Sequence, residues 1–444
     1  MKDEARLIVW VAIVWAWATA SYGQSLTEIY RKAQAEDAQY RAARKGYEAT
    51  LEKVPQARAG LLPNANLTSN RNRQTGEASF SGASPVNRDI KSWTWTAQVT
   101  QPLIRWASWV GVTQATKQVE QATAQLALAE QDLMLRTAQA YFDIMLAQEN
   151  IRVAEAQLSA MNEQLLLAER QFAVGTGIVT DIYEAKTKRG SAKSQWISAQ
   201  NELLSKQAEL DKIVGEAVVL QSVQMTKNLP AMQSASVNEW LSQAAMQNLQ
   251  IKIQQAAVAV ARSETTKSLS AHAPTLDITY NRAGAYSSGS LSSPADLTTR
   301  TQSHQAGVQL TVPLFAGGAA QSKVRESLFL EEKADEELIA AKRSATTQVR
   351  QAYAGVMNGQ AQIEALQVAV EAGAQAVEAN KIGFKIGTRI TPDVLNAEQQ
   401  LYGAMRDLMK ARVDAVMQGL KLKAAAGILQ ELDLAALDAL IELK

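Results

Sequence analysis

The chain has 444 residues, 45 basic and 44 acidic, with two histidines and no cysteine. That length holds two or three ordinary domains, and the near-neutral balance gives no electrostatic pull toward nucleic acid. The lack of cysteine excludes disulfides, thiol catalysis, a cysteine metal site and a lipid-modified cysteine.

The chain opens on an apolar run, Leu7–Ala18, reading LIVWVAIVWAWA. It is too short to span a bilayer as a helix but fits the core of an export signal. Small residues at Ala18, Ala20, Ser21 and Gly23 place cleavage after Ala20 or Gly23, so residues 1–23 are expected to be a signal peptide. Next, Leu26–Ala59 is charged, alanine-rich and proline-free until Pro55, and is expected to be helical. Asn64–Arg73 has weak strand character, and Gln74–Asp89 carries the Gly, Ser, Pro and Asn of a surface loop.

Trp93, Trp95, Ala97 and Val99 then alternate with Thr94, Thr96, Gln98 and Thr100. This period of two predicts a strand with one apolar face. It fits a half-buried strand of a soluble sheet, or a barrel strand with lipid on one side and a lumen on the other. From Trp106 to Phe172 no proline occurs over 67 residues, which predicts a helix on the order of 100 Å long at ~1.5 Å per residue. Within it Thr137, Ala140, Ile144, Ala147, Ile151, Ala154, Leu158, Met161, Leu165, Ala168 and Phe172 are spaced alternately three and four apart. That is a heptad seam, with large and small residues alternating so that a neighbouring helix can come close.

The second half repeats the first. The stretch Phe172–Ala185, FAVGTGIVTDIYEA, returns as Phe384–Ala397, FKIGTRITPDVLNA, 212 positions later. At that offset Tyr141 matches Tyr353, and Val214-Gly215 aligns with Ala426-Gly427. Pro63 aligns with Pro274, and Pro102-Leu103 with Pro313-Leu314, at an offset of 211. Leu276, Ile278 and Tyr280 alternate with polar residues, as do Ala306, Val308, Leu310 and Val312, around a Ser/Gly-rich loop at Ser287–Ser303. Two units are therefore expected, residues 24–235 and 236–427, each running helix, strand, loop, strand, very long helix, turn, helix. Residues 428–444 follow as a C-terminal segment. Gly175 and Gly387 each end a long helix, and Thr180-Asp181 or Pro392-Asp393 starts the next.

Four strands cannot close a barrel, and an open sheet edge is not tolerated in lipid, so membrane strands would require several chains to combine. Three chains would supply twelve, an even number in the known range. A coiled-coil rod explains the heptad seam alone, but not its direct attachment, twice, to alternating strands.

The two turns, QFAVGTGIVTDIYEAKTKRGSA and KIGFKIGTRITPDVLNAEQQLYGAMRDLMKARVDAVMQGLKLKAAAGIL, resemble the TolC family of outer-membrane efflux and type I secretion channels. The likeness covers nearly the whole mature chain, and GTRITPDVLNAEQQLY is its most specific part, similar to members that serve type I secretion. The resemblance implies a mostly helical homotrimer with membrane β-structure. Four strands per chain would enter a twelve-stranded outer-membrane barrel, continued by a periplasmic α-helical coiled-coil tunnel. Residues near 205–238 and 428–444 would form an equatorial belt. The hairpin tips, with Gly175, Thr176, Gly387 and Thr388, would meet a periplasmic adaptor (membrane fusion) protein bound to an inner-membrane ABC or proton-driven pump.

The resemblance also implies a periplasmic gate in which Arg389 pairs with Thr180 and Asp181. The aromatic position that can join this network is Phe384, which has no hydroxyl. Of an acidic pair lining the constriction, the first falls on Asp393 and the second on Asn396, so one acidic ring is expected in place of two. For Arg389, Asp181 and Asp393 the competing role is surface charge or helix capping. No phosphate-binding loop, metal cluster or nucleophile–base motif is present, so no cofactor, metal or enzymatic activity is expected. The expected function is a passive exit duct of a Gram-negative outer membrane, in contact with lipid and not with nucleic acid. The competing one is a pore-less periplasmic adaptor or coiled-coil scaffold, which would need only one hairpin and no alternating strands.

Overall fold

The structure is a computed structural model. It describes residues 25–82, 84–218, 220, 223–225, 236–293, 295, 297–439 and 441–443. The expected signal peptide, residues 1–23, lies outside the described residues.

The elements run α1 Leu26–Glu36, α2 Ala38–Leu51, α3 Lys53–Ala59, β1 Asn64–Ala78, β2 Val86–Ile104, α4 Trp106–Ala173, α5 Val179–Val214 and β3 Val223–Met225. The second half runs α6 Val237–Gln247, α7 Leu249–Leu269, β4 Thr275–Ser287, β5 Thr299–Thr311, α8 Ala319–Lys385, α9 Thr391–Ala426, α10 Glu431–Asp438 and β6 Ile441–Leu443. The repeat is therefore physical. α4 and α8 have 68 and 67 residues, and α5 and α9 have 36 each. Glycines with left-handed φ close corresponding helices: Gly175 (77°) with Gly387 (81°), and Gly215 (79°) with Gly427 (77°).

The helix expected over Leu26–Ala59 is broken twice, at Asp37 and at Glu52. Asp37 leaves the helical conformation (φ −58°, ψ 120°), and its Oδ1 accepts from the Tyr40 N–H at 2.6 Å, capping α2. Asn248 does the same in the second half, accepting from the Ile251 N–H at 3.1 Å. Ser25 and Ser236 cap α1 and α6, each with a glutamate three residues on.

The chain divides into two compact units. The first comprises residues 1–45, 125–251 and 341–444. Its core gathers Leu26, Ile29 and Tyr30 of α1, Leu133, Tyr141, Phe142 and Ile144 of α4, Leu210 and Val214 of α5, Met417 and Leu420 of α9, and Leu434 of α10. A smaller repeat-related cluster joins Ala244 of α6, Val349 and Ala352 of α8, and Leu422 and Ala425 of α9. The segments around 220 and 440 come together as a two-stranded sheet, Val223 opposite Leu443. Asp438 at the end of α10 accepts from the Leu26 and Thr27 N–H groups at 2.7 and 3.1 Å, satisfying the free amides that open α1. Three-residue strands carry no readable period, so this pairing is absent from the sequence reading.

The second unit comprises residues 46–124 and 252–340 and contains a four-stranded antiparallel sheet in the order β1-β2-β4-β5. β1 and β2 pair from Asn64–Thr100 to Ala78–Val86, so the strands run well into the expected loop Gln74–Asp89 and leave only residues 79–85 between them. β1 and β2 have 15 and 19 residues, β4 and β5 13 each. All exceed the ~9–11 residues of a bilayer crossing. No helix among the described residues is both long and apolar enough to cross a membrane.

Candidate functional site

The heptad seam is buried as expected along α4. Thr137, Ala140, Ile144, Ala147, Ala154, Met161, Leu165 and Ala168 are all buried, and only Phe172, at the tip, is exposed. α4 pairs with α5, and α8 pairs with α9 in the same register. Lys206 of α5 meets Asp143 of α4 at 3.0 Å. At the matching positions Gly355 of α8 lies against the Gln418 side chain of α9. Nearer the tips, Glu169 of α4 faces Lys186 of α5 at 3.8 Å, and the matching pair is Lys381 of α8 with Glu398 of α9 at 2.8 Å. The charges are exchanged between repeats while the geometry is kept. Hydrogen bonding to Glu398 raises the Lys381 pKa, so this lysine stays charged at neutral pH. Gly359 and Gly373 let α8 approach Ala415 and Leu401 of α9 closely.

The two turns are superimposable in their bonds. The Gly175 N–H donates to the Phe172 carbonyl at 3.0 Å and the Thr176 N–H to Gln171 at 2.9 Å. The Gly387 N–H donates to Phe384 at 3.1 Å and the Thr388 N–H to Gly383 at 2.9 Å. Both threonine hydroxyls donate to the same carbonyls, at 3.2 and 3.1 Å. One paired exchange bears on the space inside the turns. The first has Gln171 and Gly177, the second Gly383 and Arg389. A Cβ on Gly383 would lie 2.7 Å from Arg389 Cγ, so that glycine makes room for the arginine.

α5 and α9 both begin after an isoleucine, Ile178 and Ile390, which are 63% and 64% exposed. Neither side chain can cap a helix. Asp393 does so instead, its Oδ2 accepting from the Ile390 N–H at 3.3 Å. The Arg389 guanidinium approaches the same Oδ2 at 3.8 Å. Asp181 Oδ2 accepts from the Thr391 hydroxyl at 3.3 Å. Within one chain, then, Asp181 is paired with Thr391 and Arg389 with Asp393, rather than Arg389 with Asp181. Thr180, Gly175, Thr176, Gly387 and Thr388 are exposed, and Phe384 is half-buried.

A feature that the sequence reading missed runs along α5 and α9. Asp181 bonds Thr391. Seven residues on, Lys188 Nζ donates to Asn396 Oδ1 at 3.1 Å and Gln399 Oε1 at 2.9 Å. Seven further, Gln195 Oε1 accepts from Arg406 at 3.5 Å. Between these polar rungs the buried α5 residues are Ala185 and Ala192, and Ala199 follows the last. The tip half of the seam between α5 and α9 thus has polar rungs and small apolar side chains, with Leu395 against Ala192 and Met161 its main large contribution. Such a seam separates at less cost than a leucine-packed one.

The sheet is the second functional element. Directly opposed residues share a face. One face carries Asn66, Thr68, Asn70, Asn72, Thr94, Thr96, Gln98, Thr279, Asn281, Ser303, Gln305 and Gln309, with Asp277 and Arg88 its charged residues. The other carries Leu67, Val99, Trp93, Ile278, Tyr280, Val308 and Leu310, every one exposed. That is the two-faced pattern of a wall between lipid and a water-filled lumen. His272 ends the short turn before β4, and His304 lies on β5 with Nδ1 3.2 Å from the Tyr280 hydroxyl. Among the described residues no three His, Asp or Glu gather as a metal site.

The chain matches the outer membrane efflux protein family over residues 29–216 and 240–428. It is 32% identical over 421 residues to the outer membrane protein TolC of Vibrio cholerae, covering 94% of this chain and 93% of that protein. It is 30% identical over 441 residues to the alkaline protease secretion protein AprF of Pseudomonas aeruginosa, covering 97% and 90%. In fold it is similar to the CmeC outer membrane channel of Campylobacter jejuni, with a TM-score of 0.78 at 15% identity over 92% of this chain and 87% of that one. The chain belongs to the outer membrane efflux protein family, and its place is the Gram-negative outer membrane.

Proposed function

We propose that three copies of the chain form a passive exit duct for efflux or type I secretion. Their twelve strands close a barrel in the outer membrane, and their paired helices continue it as a periplasmic tunnel. The observation that carries this reading is the sheet. It has one mostly uncharged polar face, on which Asp277 and Arg88 are the charged residues, and one face with an exposed apolar band, and β1 and β5 are left as open edges. In lipid those edges must be paired, and edge-to-edge closure with further copies pairs all of them. Residues 1–23 are removed on export, residues 24–235 and 236–427 are the two repeats, and residues 428–444 join the belt around the tunnel.

The turns are the periplasmic mouth. Gly175, Thr176, Gly387 and Thr388 present the tips to an adaptor protein coupled to an inner-membrane ABC or proton-driven pump. The duct itself does no work. Arg389 is more than half exposed and only loosely held by its own Asp393 at 3.8 Å, so it is free to bridge to Thr180 and Asp181 of a neighbouring copy and hold the mouth shut. The Phe384 ring has no hydroxyl and adds no hydrogen bond to this network. Asp393 forms one acidic ring at the constriction, and Asn396, held by Lys188, adds none.

The test is the mass of the detergent-extracted protein, measured with its bound detergent and lipid subtracted. Three copies are expected. A stable monomer would overturn the duct, because four strands cannot close.

A further inference from the structure

The apolar face of the sheet changes character along its strands. Near the ends that join helices, its rows read Ala65, Val99, Tyr280, Ala306 and then Ile278, Val308. Toward the loops at 79–85 and 288–298 the same face carries Arg71, Arg73, Lys91, Arg282, Arg300 and His304. The boundary steps diagonally. Trp93 and Trp95 extend the apolar zone on β2, whereas β5 is already polar from His304 outward. Strands tilted by ~35–45° give such a step in a flat membrane boundary.

These cations are not equally free. Asp89 meets Arg73 with two bonds, at 2.8 and 2.7 Å. Arg71, Arg282 and Arg300 are exposed and have no carboxylate partner among the described residues. Arg282 is instead held over Trp95, its guanidinium carbon 5.9 Å from the ring centroid. The indole has room there because Gly284 has no side chain. A Cβ on Gly284 would lie 2.3 Å from Trp95 Nε1. Arg71 stands on β1 and Arg300 on β5, the two edge strands.

We propose that this basic rim binds the phosphate groups of outer-leaflet lipid. The proposal rests on the barrel reading above, which puts the apolar rows in the acyl region and the loop ends outside the cell. Guanidinium forks bind phosphate oxygens in pairs, and here they sit where headgroups meet an aromatic-edged apolar band. Edge-to-edge closure brings β5 of one copy to β1 of the next, so Arg300 and Arg71 from successive copies flank each of three seams. A phosphorylated headgroup there bridges two chains.

The experiment is native mass spectrometry of the wild-type protein in detergent, titrated with a bisphosphorylated glucosamine acyl lipid, the same lipid without phosphate, and inorganic phosphate. The trimer is expected to bind the phosphorylated lipid at least about tenfold more tightly than its dephosphorylated form. Inorganic phosphate is expected not to compete at equal concentration. The Arg71→Gln, Arg282→Gln, Arg300→Gln variant is expected to lose the preference. Equal binding of the two lipids, or a triple variant that binds as wild type, would overturn the site. Competition by inorganic phosphate would assign it to free anion instead. If the variant does not assemble, the comparison of the two lipids on the wild type decides alone. A monomeric wild-type mass would overturn the barrel reading, and this site with it.

Discussion

Gly215 and Gly427 close equivalent helices with nearly equal φ, yet they are not equivalent in space. A Cβ on Gly215 would meet the Glu36 side chain at 3.3 Å, which can move aside. One on Gly427 would lie 2.2 Å from the Gln247 carbonyl oxygen, which belongs to the backbone entering the Asn248 break. Gly215→Ala should cost about 1 kcal/mol of unfolding free energy from the left-handed strain alone, and Gly427→Ala about 3 kcal/mol or more, measured by denaturant titration. Equal losses would mean that the clash relaxes. At the tip, Lys188 is the side chain with most to reveal. Lys188→Ala removes both bonds to α9 and a cation beside the proposed constriction. Single-channel recordings of this variant should show a larger conductance and stronger cation preference than wild type. Of the candidate residues, Asp181, Arg389 and Asp393 are legible because they stand in a motif. Lys188 is not, because a lysine in a charged helix has no signal until α9 lies beside it.

At the scale of elements, the break at Asp37 shows how a single carboxylate divides a helical run. Burial on its own raises the Asp37 pKa, but hydrogen bonds from Arg136 and the Tyr40 N–H outweigh it and hold the carboxyl below its ordinary value. The stabilisation from this carboxylate is complete above the unfolded-chain pKa of ~3.9 and is lost as pH falls through the lower folded value. Asp37→Ala should cost about 2–3 kcal/mol at neutral pH, and the difference from wild type should shrink in acid, as read from melting curves at several pH values. A difference that does not shrink at all as pH falls below the unfolded-chain value would exclude the charge as its source. Helix and repeat were readable because a heptad seam and a 212-residue offset persist over many turns. The strand ends were not. Gln74-Thr75-Gly76-Glu77 has the composition of a loop, yet its backbone pairs with 87–90, because outside the apolar band a hairpin needs only its ladder bonds. The Asp37 break was hidden for a related reason, since its aspartate reads as one charge among many until its capping bond is seen.

For the whole molecule, the contacts of α5 with α9 in the tip half are mostly polar and small. In the proposed duct, opening would separate α5 from α9 at the tips, with the pairs α4–α5 and α8–α9 held by Asp143–Lys206 and by Glu398–Lys381. The double variant Asp181→Ala, Arg389→Ser should open further than Lys188→Ala, because it removes both the rung to Thr391 and the proposed bridge between copies. The most direct measurement is single-channel current in a planar bilayer from the purified wild-type protein beside the Arg389→Ser variant. A small, cation-preferring conductance that rises in the variant is the result expected of a closed trimeric duct with Asp393 at its constriction. No channel, from a protein that stays monomeric or leaves the membrane with salt, would contradict it and return the chain to a scaffold without a pore.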